Sequence, residues 1–301
     1  MLAIIGTVPD SAFPLTHGPV RLSGAHLTIG GREVPVNRGT PALLAAAVMA
    51  GQCIHGPEIY AFLVGDIGRG DGSRRLYQFL VRHLSEFDFQ VMTFHYLQPD
   101  VDWHNRVLFA VEAMARRPIL IADAGFMYAA KMSGQGGSYD LFTPDAGELA
   151  FLADEMAPHP FYTRGFILHQ DHNVAELIRR AYQHQNAAGH LLVKGKSDHI
   201  ANEKQIVEIV NHPSCAAMEA IGGTGDTLTG ILSVLCGAGY QLAEAAGLAA
   251  KANRWTGCYA GATPATQVAA LIEKIPQALF AVLNEYQKEK THGRDQDHTA
   301  D

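Results

Sequence analysis

Gly222-Gly223-Thr224-Gly225-Asp226 leads straight into the helical spacing Leu228, Ile231, Leu232 and Leu235, and this segment organises the whole 301-residue chain. Three glycines let the backbone turn tightly and approach a ligand without Cβ interference. The first N–H groups of a helix have no intrahelical acceptor and lie at the positive end of its dipole, so such a turn gathers donors around an anion. With the Leu/Ile stripe directed to a core, Asp226, Thr229, Gly230 and Ser233 fall on other faces, and Asp226 stands at the helix mouth. A carboxylate beside an anion cradle suits phosphoryl transfer. The glycine turn, the Thr224 hydroxyl and the next N–H groups could together balance charge on the transferred oxygens, and Asp226 could orient and deprotonate an attacking hydroxyl. The same residues also fit a plain tight turn with Asp226 as a helix cap, and spacing alone leaves both readings open. Neither GxxxxGK(S/T) nor GxGxxG with its downstream acid occurs.

Upstream, Phe62-Leu63-Val64, Phe89-Gln90-Val91-Met92, Ile119-Leu120-Ile121 and Leu191-Leu192-Val193 read as short buried strands. Helical patterns separate them. Thr40 as cap and Pro41 in the first turn open an Ala-rich helix that stops at Gly51. Leu76, Leu80 and Leu84 share a stripe after Ser73. Val107, Leu108, Val111 and Met114 follow Asp102 and end before Pro118, and Asp171 caps a helix carrying Val174, Leu177, Ile178 and Ala181. Repeated strand-helix-strand order predicts an α/β fold with a mostly parallel sheet covered on both faces. Successive helices fill the C-terminal part. We expect one domain over residues 1–290, with 18–38 a hairpin or flap and 291–301 a polar tail.

The chain carries 23 Lys+Arg against 30 Asp+Glu, a net charge of -7, and has no long basic run, which argues against nucleic acid as a partner. No 18-residue charge-free apolar span suggests a membrane segment, and the short run Met1 to Ile5 lacks a basic leader, so a cytoplasmic location is expected. Cys53, Cys215, Cys236 and Cys258 are widely spaced and read as reduced thiols. There are 15 histidines but no HExxH or His/Cys cluster, so His95, His104 and His169 read as hydrogen-bonded side chains rather than ligands.

Several separated segments resemble the ribokinase-like superfamily, and most nearly its ATP- or ADP-dependent NAD(P)H-hydrate dehydratases. Gly223-Thr224-Gly225-Asp226 with Gly230 is similar to GTGDxLxG, and Thr143-Pro144-Asp145-Ala146-Gly147-Glu148 to TPHPGE with Asp145 in place of His. Gly65-Asp66-Ile67-Gly68-Arg69-Gly70 resembles a GPGLGR-type loop with Asp66 in place of Pro. Asp123-Ala124-Gly125, Lys194-Gly195 after a strand, and Arg38-Gly39-Thr40-Pro41 before the Ala-rich helix complete the likeness over roughly residues 38 to 280. Trp255-Thr256-Gly257-Cys258 stands where an HG pair is usual.

The resemblance implies a three-layer α/β/α fold with Asp226 as catalytic base and Gly223, Thr224 and Gly225 as the anion hole. Lys194, Gly195 and Gly222 would join that turn on the nucleotide. Gly39, Asp66, Gly68, Asp123 and Asp145 would hold the acceptor, and Glu148 would reach Mg²⁺ through water. Read without the family, Lys194 is equally a solvated strand end, Glu148 a helix-start charge and Asp123 a turn residue. The implied cofactors are ATP or ADP with Mg²⁺, and K⁺ where a monovalent cation takes part. The implied substrate is hydrated NADH or NADPH, whose hydroxyl is phosphorylated and then lost as phosphate. A small-molecule kinase and a noncatalytic nucleotide sensor remain alternatives, and a homo-oligomer is the expected assembly.

Overall fold

The computed structural model describes residues 1–163 and 173–297; Asp171 and His169 lie outside the described residues. The chain begins with β1 (Leu2–Val8), then β2 (Thr16–Ser23), β3 (His26–Ile29) and β4 (Arg32–Pro35). Helix α1 (Thr40–Ile54) leads to β5 (Ile59–Gly65), α2 (Asp71–His83), β6 (Val91–His95), α3 (Val101–Glu112), β7 (Ile119–Ala122) and α4 (Phe126–Met132). Then come β8 (Leu141–Phe142), α5 (Ala146–Ala153), α6 (Val174–Gln183), β9 (His190–Val193), β10 (Asp198–Asn202) and β11 (Ile206–Val210). The remaining helices are α7 (Thr224–Gly237), α8 (Leu242–Tyr259), α9 (Val268–Ile272) and α10 (Ile275–Asp297).

One sheet runs in the order β11-β10-β9-β8-β7-β6-β1-β5-β2-β3-β4. Its six central strands, from β9 to β5, are parallel, with antiparallel additions at both ends. The run Leu2 to Ile5 therefore lies in an interior strand, between β6 and β5. It is apolar because both faces are covered: Leu2 and Ile4 join the core with α1 and α7 to α10, while Ala3 and Ile5 join the core with α2 to α6. The β2–β4 meander occupies residues 16–35 and extends the sheet beyond β5. All parallel strands end on one side, which is where open α/β sheets assemble sites, and the chain order reverses around β1.

Local chemistry departs from the sequence reading at the caps. Gly39, at φ 81°, takes the cap position of α1, so Thr40 is the first helical residue and its hydroxyl is free for another partner. The helix runs past Gly51 to Ile54, with His55 left-handed behind it. Helix α3 starts at Val101, ahead of Asp102 rather than after it, and Asp100 caps it by accepting from Trp103 N at 3.2 Å. Asn173 caps α6. No described helix is long and apolar enough to cross a membrane, and all four cysteines are free.

Helices α1 and α7 pack closely because both surfaces are small. A Cβ at Gly230 would collide with the Leu43 carbonyl oxygen and lie 3.1 Å from Ala46 Cβ. Glycine to alanine normally favours a helix by about 1 kcal/mol. Here the sign reverses: Gly230→Ala should destabilise by about 1–3 kcal/mol as α1 and α7 are pushed apart, read as a lower urea midpoint. An unchanged or higher midpoint would contradict the packing.

Candidate functional site

A cleft of about 880 Å³ opens at the carboxyl ends of β6 to β9 and the start of α7. Gly223, at φ 104°, caps α7, and the helix ladder begins with Thr227 N to Gly223 O. The N–H groups of Thr224, Gly225 and Asp226 thus have no acceptor within the helix. Thr224 Oγ1 donates to the carbonyls of Ile221 (3.3 Å) and Met218 (3.4 Å), so its hydroxyl braces the turn. Asn253 ties α8 to the same turn, donating to Thr224 O at 3.0 Å and accepting from Thr227 Oγ1 at 2.7 Å.

Asp226 is 6% exposed and lines the cleft. Oδ2 accepts from Gly39 N at 2.5 Å, and Oδ1 meets His95 Nε2 at 3.0 Å. A carboxylate can only accept, so Nε2 is the donor and Nδ1 faces Thr40 Oγ1 at 3.0 Å. Burial pushes the Asp226 carboxyl up, but the His95 hydrogen bond and charge, Lys194 and the Gly39 N–H outweigh it, and the group sits below the ordinary aspartate value. Each oxygen keeps a lone pair for a further donor. Space for this row comes from Gly6 on β1, where a Cβ would fall 2.5 Å from Thr40 Oγ1.

A second carboxylate lies behind it. Asp123 receives Lys194 Nζ on both oxygens (2.9 and 2.8 Å), Thr229 Oγ1 at 2.9 Å and Ala124 N at 2.8 Å. Burial raises its pKa, yet Lys194 and His95 hold it below the usual range. Lysine 194 in turn stays protonated despite burial because Asp123 and Glu148 face it. Its Cδ would be 3.4 Å from a Cβ on Gly225, so that glycine lets the lysine lie across the start of α7. Arg254 secures the strand end, donating to Asp198 (2.8 Å) and to the carbonyls of Gly195 and Lys196 (each 3.0 Å).

Asp145 and Glu148 form a reciprocal capping box at the start of α5, with both bonds at 2.8 Å, and Tyr128 donates to Glu148 at 2.8 Å. Burial raises Glu148 to about 7, with Asp123 and Asp145 adding to the shift and Lys194 opposing it.

Nearly all the residues singled out from sequence therefore meet in one cleft, with Gly39 just behind Asp226. Asp66 and Gly68 do not line it. Asp66 accepts from Gly68, Arg69 and Gly70 N–H groups and from the amide and hydroxyl of Ser73, so its carboxylate closes its own loop. The sequence reading missed Arg38, Tyr96, Thr229, Asn253 and Arg254 as site residues, and His95 as a partner of Asp226. His95 and Tyr96 carried the same signal as Asp123 and Lys194, the end of a buried strand. Among the described residues no group of three or more His, Cys, Asp or Glu could hold a metal ion, and His104 is bonded to Tyr139 OH at 2.8 Å.

A family model described as NAD(P)H-hydrate dehydratase matches residues 98–277, more than half of the chain, and begins after the Gly39 and Gly65–Gly70 segments. An uncharacterized protein of Methanocaldococcus jannaschii is 42% identical over 223 residues, which covers 74% of this chain and 91% of that protein. A hypothetical protein of Streptococcus mutans superposes with a TM-score of 0.57 at 14% identity, covering 93% of this chain and 90% of its own. A ribokinase-like superfamily protein of Enterococcus faecalis gives 0.53 at 15% identity, covering 93% and 87%. The two structures establish a ribokinase-like fold and nothing finer.

The raised Glu148 pKa has a consequence for stability. A carboxyl whose folded value exceeds its unfolded value stabilises below the unfolded pKa, and that contribution is lost as pH rises. For Glu148 the window runs from its ordinary 4.5 to about 7. Glu148→Gln keeps an acceptor for Asp145 N–H and should flatten the loss, so that at pH 8 the ligand-free variant melts a few degrees above the parent. Parallel Tm profiles from pH 4 to 8 would contradict this.

Proposed function

The chain belongs to the NAD(P)H-hydrate dehydratase family, and from that premise we propose that it uses ATP or ADP to dehydrate hydrated NADH or NADPH. The observation that carries the reading is Asp226: a buried carboxylate, held ionised and fixed by two donors, facing a cleft beside unpaired helix amides.

The outer phosphate of the nucleotide lies against the N–H groups of Thr224, Gly225 and Asp226, with Gly222 and Gly223 allowing close approach and Lys194 and Gly195 beside it. Asp226 takes the proton of the acceptor hydroxyl as its oxygen attacks in line. In the resulting phosphate ester the ring nitrogen's lone pair expels phosphate. Loss of a proton from the neighbouring carbon then restores the dihydronicotinamide. Asp123 acts at one remove, anchoring Lys194, while Asp145 lines the acceptor side.

The donor set suits Mg²⁺ carried in on nucleotide phosphates. The cleft is lined by six carboxylates (Asp123, Asp145, Glu148, Asp198, Glu219 and Asp226) and by four cations, Arg38, Lys194, Lys196 and Arg254. A bound Mg²⁺ supplies compensation for phosphate charge, and Glu148 is the side chain that would reach its water shell.

Hydrated NADH and hydrated NADPH, each with ATP and with ADP, should regain nicotinamide absorbance and release phosphate in equal amounts. No turnover with any pair sinks the reaction. A kinase acting on a stable alcohol would share this geometry and would instead leave a phosphorylated product. Asp226→Asn should cut turnover by about 10²- to 10⁴-fold with nucleotide affinity nearly unchanged; a noncatalytic sensor would bind nucleotide without turnover and be indifferent to the change.

His95 gives a separate pH test. The base works only when ionised, so activity falls as pH drops through the Asp226 pKa. Losing the His95 donor raises that pKa, and His95→Ala should move the acid limb of kcat/KM to higher pH. A limb that stays put would show that the bond does not tune the base.

A further inference from the structure

Tyr96 is the conformational outlier of the cleft. Its φ of 52° lies in the left-handed region, where a non-glycine side chain is strained. The backbone is pinned there by Tyr96 N donating to Ala124 O at 3.0 Å and by Tyr96 O accepting from Thr7 Oγ1 at 2.8 Å. Glycine would meet this backbone demand without strain, so the position keeps a ring against a local cost.

Tyr96 as a whole is 44% exposed and lines the cleft. Its ring packs across Gly39, where a Cβ would lie 3.3 Å from its Cδ2 and Cε2, and its centroid is 4.1 Å from that of His95. Gly39 and His95 are the two groups that hold Asp226, so the ring forms the wall next to the base. Among the described residues no hydrogen bond is recorded for the Tyr96 hydroxyl. Burial, then the nearby Asp226 and Asp123 charges, push the phenol up, which keeps it a neutral donor.

We propose that Tyr96 is the platform against which the acceptor's ring lies, selecting ring-bearing alcohols whose hydroxyl then reaches Asp226. An aromatic side chain that lines a polar, acid-rich cleft and is itself 44% exposed offers surface against which a substrate ring can pack. The inference rests on the dehydratase reading and narrows it to a residue outside the glycine turn.

NADH, which carries the ring and fluoresces, serves as the probe, and its Kd is measured for the parent, Tyr96→Phe, Tyr96→Ala and Tyr96→Gly. Phe should bind nearly as the parent does. Ala and Gly should both lose about tenfold in NADH affinity, with ADP affinity unchanged. Glycine relieves the left-handed backbone, so the Gly variant should melt above the Ala variant while binding equally poorly. Absence of NADH binding by the parent, unchanged NADH affinity in Ala and Gly, or affinity that follows Tm from Ala to Gly would each overturn the platform. Turnover of hydrated NADH by the parent with unaltered NADH affinity in the variants leaves the reaction standing and removes only Tyr96. Tenfold losses in a protein that never turns over the hydrate support the platform and remove the reaction.

Discussion

A carboxylate buried at the junction of β6, α1 and α7 sets the terms for everything around it. Taking Asp226 out of water is expensive unless its oxygens are met by donors. One comes from the amide that opens α1 and the other from the ring that ends β6. Each partner imposes its own demand. The amide requires Gly39 to turn at φ 81°, and the ring requires Thr40 beside it, which in turn requires a bare Cα at Gly6. The Ala-rich face of α1 and the missing Cβ at Gly230 then bring the two helices close enough for the bond from Gly39 to form.

Behind this row lies a second charge balance. Asp123 and Lys194 neutralise one another, with Thr229 from α7 fastening the pair to the same helix that carries Asp226. The helix start is therefore braced from three strands. Since the lysine's charge is already engaged by Asp123, it adds less net attraction for an incoming polyphosphate than its position suggests. The helix amides and Arg38, which line the same cleft, have to carry more of that load.

The glycine turn and the acid at the helix mouth were legible because their geometry is local: five consecutive residues and a helical stripe place them, while leaving Asp226 open as base or cap. Asp123, Lys194 and Glu148 were legible at the next level, as polar residues closing buried strands or opening a helix. The bonds to Asp226 were not, because Gly39 and His95 are 187 and 131 residues away and neither partner has a local signature of the contact. Thr40 looked like a cap because Thr before Pro usually is one, yet its hydroxyl serves His95 instead. Asp66 misled in the opposite direction. The resemblance implied a hold on the acceptor, but five local donors reach its carboxylate, and only the folded loop reveals that. The interior strand β1 escaped because four apolar residues at a chain start carry no alternation from which to infer burial on both faces.

Asp66 and Asp145 follow a common physical logic, since each carboxylate closes the backbone turn it sits in. Asp66 supplies loop rigidity by hydrogen bonds to the amides that follow it. Asp145 completes a capping box with Glu148, adding a charge where the helix dipole favours one. That box also brings Asp145 close to a glutamate already strained by burial, which helps to lift the glutamate's pKa. The loop thus gains order at the helix start while placing electrostatic cost on the cleft side, where burial, Asp123 and Asp145 raise Glu148 and Lys194 opposes them.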